Sequence, residues 1–261
     1  MTASLSGRVA IVSGGASGLG QGIVEKFVEA GADVVIADVN DDAGQDIAAH
    51  CGARAWYRHA DVADTADVEA LVQAAVDRFG GLDVMVNNAG ISGKMQKSFL
   101  SDDLEDFHRV MSINVLGVIL GTRAAARHMA AHDGGAIINV ASIGGLQAGG
   151  GVMTYRASKA AVIHFSKSVA IELAPLGVSV NCIAPGGIPT PILASSVSGL
   201  SPDAVEKFVE RTRAKMRSDR PLPREGTPGD VAEAALYFAR LVTTTGTVLT
   251  VDGGTSASSP L

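Results

Sequence analysis

The sequence predicts an α/β fold, a doubly wound parallel sheet with helices on both faces. Three observations predict it. Short β-branched apolar runs alternate along the chain with stretches of helical spacing, and that order builds a parallel sheet through crossover helices. Most of the runs are continuously apolar rather than alternating, as strands buried on both faces are. The chain has 31 glycines among 261 residues, well above the ~7% typical of globular chains. They cluster between the apolar runs and form no low-complexity tract.

The first strand is expected at Val9–Ser13, with a helix behind it over Gly18–Ala30. A second strand follows at Asp33–Ala37. Its helix, Asp41–His50, has Asn40 or Asp41 available as a cap. Ala55–His59 and Asp83–Asn87 read as the third and fourth strands, separated by a helix at Ala66–Phe79. Leu104–His132 reads as one long helix. Ala136–Ala141 is the fifth strand and Met153–Leu176 the helix after it. Ser179–Ile183, a helix at Pro228–Arg240 and a last strand at Val248–Val251 complete the order. Right-handed crossovers then place helices on both faces.

No linker composition and no repeat divides the chain, so a single domain over 1–261 is expected. The segment 186–227 stands apart. It carries prolines at 189, 191, 202, 221 and 223 and is too long for an ordinary connection. A helix is expected within it at Asp203–Arg217, opened by Ser201-Pro202. The segment reads as a lid.

Composition excludes several roles. Lys+Arg total 21 against 27 Asp+Glu, a formal charge of −6, so no basic surplus exists for nucleic acid. Cys51 and Cys182 are far apart and have no metal-ligand spacing. They read as thiols in a reducing compartment, with neither a disulfide framework nor a metal site expected. The apolar run Val9–Val12 is short for a signal peptide, and no stretch reaches ~18 uninterrupted apolar residues. A cytoplasmic protein without a membrane partner is expected.

Ser13-Gly14-Gly15-Ala16-Ser17-Gly18-Leu19-Gly20 follows a strand and opens a helix. A turn with so little side chain lets the backbone approach a pyrophosphate, and the helix start offers free N–H groups. Asp38, 18 residues after Gly20 at the end of the second strand, is placed to accept hydrogen bonds from an adenosine ribose and to repel a 2′-phosphate. No Arg or Lys follows at 39–42, so the cofactor predicted is NAD. Asp61-Val62, after the third strand, can bracket an adenine or cap the next helix. Asn87-Asn88-Ala89-Gly90 at the end of the fourth strand suits ligand contact or a turn.

Tyr155 and Lys159 share one helix face at i, i+4. An ammonium beside a phenol favours the phenolate, which lowers the tyrosine pKa toward working pH and fits it for proton transfer at an alcohol oxygen. Ser142 precedes Tyr155 by thirteen residues, and the stretch between can fold back to bring the two hydroxyls together. Asn114, a lone amide among Ile113, Val115 and Leu116, needs a partner. It serves either core satisfaction or a bound water.

These residues together resemble the short-chain dehydrogenase/reductase family. The glycine turn, Asp61-Val62, Asn87-Asn88-Ala89-Gly90, Asn114, Ser142, Tyr155 with Lys159, Asn181, Pro185-Gly186 and Val251-Asp252-Gly253-Gly254 occur in the family's order, covering about residues 5 to 255. The resemblance implies a Rossmann-type domain of seven parallel strands in the order 3-2-1-4-5-6-7. It implies a catalytic tetrad of Asn114, Ser142, Tyr155 and Lys159, with Tyr155 as general acid/base. Lys159 would lower the tyrosine pKa and hold the nicotinamide ribose, Ser142 would orient the carbonyl, and Asn114 would hold a water that relays protons to Lys159.

The cofactor-binding set so implied is Gly14, Ser17, Gly18, Leu19, Gly20, Asp38, Val39, Asp61, Val62, Asn88, Ala89 and Gly90, joined by Tyr155, Lys159, Pro185, Gly186, Ile188 and Thr190, with Ile183 also near the nicotinamide. By position, Ser142, Gly144, Leu146, Gln147, Val152 and Gly187 line the substrate pocket, which reads as mostly apolar with one amide. Segment 186–227 corresponds to the family's substrate loop, and a homotetramer is implied. Three departures stand out. Ser13 replaces a commoner Thr. Arg156 follows Tyr155 where the family has a small residue, and is read as touching a subunit contact or an anionic group. The stretch Arg240–Gly246 is short.

The expected activity is hydride transfer between NAD(H) and a secondary alcohol/ketone small molecule, with no metal. One alternative is reduction of a 3-oxoacyl thioester on an acyl carrier protein, drawn in by Arg211, Arg213, Lys215, Arg217, Arg220 and Arg224; those cations equally fit a solvated, ion-paired helix. The other is a non-catalytic NAD-binding regulatory protein.

Overall fold

A computed structural model describes residues 4–197 and 201–257. Seven strands form one parallel sheet in the order β3-β2-β1-β4-β5-β6-β7. They are β1 (Val9–Ser13), β2 (Asp33–Asp38), β3 (Ala55–His59), β4 (Val84–Asn87), β5 (Gly135–Val140), β6 (Val178–Pro185) and β7 (Val248–Val251). The helices are α1 (Gly18–Glu29), α2 (Asp41–Cys51), α3 (Thr65–Phe79), α4 (Phe107–Met111), α5 (Gly117–Ala130), α6 (Met153–Leu173), α7 (Ile192–Ser195), α8 (Pro202–Ser218) and α9 (Pro228–Ala239). The order implied by the resemblance is the one observed.

β1, β4 and β5 are buried along their whole length, which is why their sequences do not alternate. One core layer packs β1, β2 and β4 against α1 and α9, around Phe27, Ile23 and Phe238. The other packs the opposite face against α3, α5 and α6, around Ile137, Leu71 and Met129. Each such side chain, wholly removed from water, contributes about 2–3 kcal/mol.

Several boundaries follow from local chemistry. Asn40 accepts the Ala43 N–H at 3.1 Å and starts α2. Asp64, not Asp61, caps α3 by taking the Ala66 and Asp67 N–H groups. Thr227 and Asp230 form a reciprocal cap on α9. The long helix expected from Leu104 begins only at Phe107, because Leu104 lies in the left-handed region at φ +57. It is also irregular: a π-helical turn, Ser112–Leu116, joins α4 to α5. The run Phe107–Ala130 is long and apolar enough by composition to cross a membrane, yet more than half of it is buried, packed on β4, β5 and α3. It is a core helix by position. β6 runs two residues past Ile183 and stops at Pro185, which has no N–H to continue the ladder.

The strand order reverses between β1 and β4, so the chain departs to opposite sides there and leaves a crevice at the carboxyl ends of the strands. The glycine turn, Asp38, Asn88–Gly90, Ser142 and Pro185–Gly186 all follow strand ends on this rim.

Candidate active site

A cleft of about 410 Å³ occupies the crevice. Its floor is the glycine turn. Gly14 (φ +63) lies so close to β4 that a Cβ there would stand 2.8 Å from Ala89 Cα, and a Cβ on Gly20 would stand 1.9 Å from the Gly14 carbonyl oxygen. Only glycine permits this approach. Ser17 precedes α1 with its side chain uninvolved in the cap, so the helix start keeps donors for an anion.

The turn is stapled to β4. The Ser13 hydroxyl accepts the N–H groups of Asn88 and Ala89 and donates to the Val86 carbonyl. The Asn88 amide donates to the carbonyls of Ser13 and Gly14 at 2.9 and 3.1 Å. Both amide hydrogens of Asn88 are thus spent on the turn, and Asn88, Ala89 and Gly90 all border the cleft. Asn87 points into the core, toward Thr122 and Asn139.

At one end of the cleft stands Asp38. Its carboxylate accepts the Ala16 and Asn40 N–H groups, both at 3.1 Å, and so is oriented with acceptor capacity to spare. Val39, Asp61 and Val62 border the same end. Tyr57 braces it from behind: its hydroxyl donates to Asp41 at 2.5 Å and approaches the Asp38 carbonyl at 2.9 Å. At the other end, Pro185, Gly186, Ile188 and Thr190 line the wall, and the Thr190 side chain lies over Gly18. Ile183 does not join them. It is fully buried between sheet and helices, because its β-strand direction points it into the core.

Tyr155, Lys159 and Ser142 meet in the middle of the cleft. Ser142 sits just beyond β5 with its hydroxyl accepting the Gly144 N–H at 3.0 Å. Lys159 is buried, and its ammonium donates to the Val140 carbonyl at 2.9 Å while lying 5.8 Å from the Tyr155 ring centroid. Burial pushes the lysine down to about 8. Burial likewise raises the Tyr155 phenol, and the Ser142 hydroxyl and the Arg156 charge pull it back. The Lys159 ammonium here is turned to the Val140 carbonyl, while burial is the largest influence on the phenol.

Asn114 lies in the π turn, fully buried. Its amide donates to the Ile91 carbonyl at 2.9 Å and the Ser158 hydroxyl at 3.0 Å, and its oxygen accepts the Ile91 N–H at 2.9 Å. Its donors are therefore spent. The remaining face of its oxygen looks toward Lys159: a Cβ on Gly90 would stand 3.2 Å from Asn114 Oδ1 and 3.3 Å from Lys159 Nζ.

The positional reading of the substrate pocket needs correction beyond Ser142. Leu146 is 45% exposed, and the Gln147 amide donates to the Thr255 carbonyl, so the one expected amide belongs to the fold. Met216 of α8 covers Gly187, and Gly144 lies under Arg156. Val152 opens instead on a small hollow beside Tyr155, shared with Ser92, Leu104, Phe107, Val110 and Met153. Sequence reasoning missed Ile91, Arg109, Ile113 and Ile192, which border the main cleft. Arg109 and Ile113, one helical turn apart on either side of the α4–π junction, carried a periodic signal that could have found them.

The other loose ends resolve as well. Arg213 and Arg217 pair with Glu225, Lys215 with Asp219 and Arg224 with Asp230. Arg220 is buried on the carbonyls of Gly187 and Arg224. The basic set is therefore an ion-paired face with Arg211 apart, rather than a free cationic patch. Arg156 folds back on the 143–151 loop and donates to the Gln147 carbonyl. Among the described residues no group of three or more His, Cys, Asp or Glu is placed to hold a metal.

The comparisons agree with this geometry. The family model described as enoyl-(acyl carrier protein) reductase matches residues 14–256. Momilactone A synthase of Oryza sativa subsp. japonica is 41% identical over 257 residues, covering 97% of this chain and 91% of that one. 3beta-hydroxysteroid dehydrogenase 2 of Eggerthella lenta is 39% identical over 261 residues, covering 97% and 96%. The crystal structure of a 3-ketoacyl-(acyl-carrier-protein) reductase from Brucella melitensis, complexed with NADH, superposes with a TM-score of 0.85 at 36% identity, covering 97% of this chain and 99% of that one.

Proposed function

Because the chain belongs to the short-chain dehydrogenase/reductase family, oxidoreductases that use a nicotinamide cofactor on alcohols and ketones, we propose that it works with NAD(H) on the carbinol carbon of a secondary alcohol or its ketone, with Tyr155 as general acid/base. The observation that carries this reading is the convergence of Tyr155, Ser142 and Lys159 in the cleft that also holds the glycine turn and Asp38. The glycine cradle and the free start of α1 fit a pyrophosphate, and Asp38 fits an unphosphorylated ribose.

A bound nicotinamide supplies or accepts the hydride. In oxidation the Tyr155 phenolate takes the alcohol proton, and the Ser142 hydroxyl donates to the same oxygen and fixes its position. Lys159 has ammonium hydrogens beyond the one given to Val140 for a ribose hydroxyl, and its lowered pKa suits it to pass on the proton from Tyr155. A water beside Gly90 would join Lys159 to Asn114. In reduction the same groups run backward.

The substrate proposed is a secondary alcohol or ketone with an apolar portion. Leu104, Phe107 and Met153 border the hollow beside Tyr155 and are 48%, 41% and 38% exposed, with Met95 and Phe99 close by in sequence. Lys94, Asp102, Asp103 and Asp106 border the same hollow, so its rim offers apolar contact beside charge, and a relative's name carries a hydroxysteroid. The assembly proposed is a homotetramer. Ala157, Ala160 and Ser168 lie exposed on α6, in line with Ile171 at 78% exposure. The unpaired Cys51 and Cys182 fit a cytoplasmic setting.

Tyr155→Phe tests the mechanism. Turnover of a panel of cyclic secondary alcohols with NAD should fall by roughly 10²–10⁴-fold, while NADH binding stays within a few-fold. Near-parental turnover would overturn the assignment.

A further inference from the structure

Arg156 stands next to the proposed acid/base and is held in an unusual way. Its Nη1 donates to the Gln147 carbonyl at 3.0 Å. Its Nε is buried and has no hydrogen-bond partner. A Cβ on Gly149 would stand 2.3 Å from Nη2 and 2.5 Å from Cζ, so the 143–151 loop lies directly on the guanidinium. The same side chain passes Gly144, where a Cβ would stand 3.7 Å from Arg156 Cγ and 3.3 Å from the Ser142 hydroxyl. At Gly145 the loop backbone rests on the backbone of Lys159 and Ala160. A buried donor left without a partner is costly, and the chain tolerates one on the residue next to Tyr155.

We propose that Arg156 is a positioning residue for proton transfer at Tyr155: its guanidinium clamps the 143–151 loop onto α6, seats the Ser142 hydroxyl, and holds a positive charge beside the place where the phenolate forms. The proposal rests on the reading of Tyr155 as acid/base. The other charged groups are arranged differently. Lys159, on the same helix, is turned to Val140. From the 91–106 segment, Lys94, Asp102, Asp103 and Asp106 border the hollow beside Tyr155, and Arg109 borders the main cleft. Lys94, Asp103 and Arg109 are exposed and screened by water, whereas the Arg156 fork lies under the loop. Its charge opposes the rise that burial imposes on the phenol.

The test is a pair of pH titrations on the intact protein. One follows kcat/KM for alcohol oxidation. The other follows near-ultraviolet tyrosinate absorbance without substrate, read as the difference from Tyr155→Phe; the chain has 3 Tyr, and burial, together with the bond to Asp41, raises the Tyr57 phenol well above its ordinary value. Arg156→Met should move both midpoints up by about 0.5–1 pH unit. Arg156→Lys keeps the charge and should restore much of the shift. Gly149→Ala leaves Arg156 in place but displaces its fork, and should move both midpoints upward as well; it carries the test if Arg156→Met does not fold. Superimposable profiles for Arg156→Met and Gly149→Ala, with Tyr155→Phe inactive, would overturn this proposal alone. Retained activity and retained titration in Tyr155→Phe would overturn the reading beneath it.

Discussion

Asn114 holds Ile91 by both of that residue's backbone polar groups, donating to its carbonyl and accepting its N–H, each at 2.9 Å. The chain after β4 is thereby tied to the π turn. Replacing Asn114 by Ala would leave both Ile91 groups unpaired. A loss of about 2–4 kcal/mol is expected in denaturant unfolding, larger than for Ser158→Ala, which removes the third bond and the local one from the Ser158 hydroxyl to the Tyr155 carbonyl but leaves both Ile91 groups paired.

Gly90 separates Asn114 from Lys159. A methyl group there would occupy the space 3.2 Å from Asn114 Oδ1 and 3.3 Å from Lys159 Nζ. Gly90→Ala should therefore lower kcat by about tenfold or more with little change in substrate KM. Unchanged kcat would show that no relay passes through this space.

Lys159 bears a stability cost that the sign of its titration exposes. Burial lowers it to about 8, from 10.5 in an unfolded chain. Below pH 8 both states hold the proton and the native state bears the whole penalty. Between 8 and 10.5 the unfolded state holds more protons, so this group's contribution improves as pH rises. Lys159→Met should abolish turnover yet raise the melting temperature by a few degrees at pH 7. That gain should shrink toward pH 10. A variant less stable at pH 7 would contradict this.

Asp38 should decide the cofactor. Calorimetric titration with NADH and NADPH is expected to favour NADH by tenfold or more, about 1.4 kcal/mol. In Asp38→Ser the preference should shrink through weaker NADH and stronger NADPH binding. An undiminished preference would place ribose recognition elsewhere.

The fold was legible because its signals are local. Val84–Asn87 and Gly135–Val140 are apolar along their length since both faces are covered, and Asn40, Gly80 and Thr227 mark helix ends by their own chemistry. The candidate cleft was legible where it follows strand ends. The substrate side was not. Leu146, Gln147 and Gly187 fit by position, but none borders the cleft, and Gln147 and Gly187 are engaged by the Thr255 carbonyl and by Met216. Those are contacts between segments far apart in sequence, which no periodicity reports. The setting of Lys159 was only partly legible for a related reason. The i, i+4 spacing placed the two side chains on one face but not the Val140 carbonyl that captures the ammonium.

The glycine turn and β4 meet through Ser13, whose hydroxyl serves the N–H groups of both Asn88 and Ala89. A library that varies Leu104, Phe107 and Met153 at the hollow beside Tyr155 leaves that junction untouched. The rim proposed for substrate can thus be varied without rebuilding the cofactor junction beneath it.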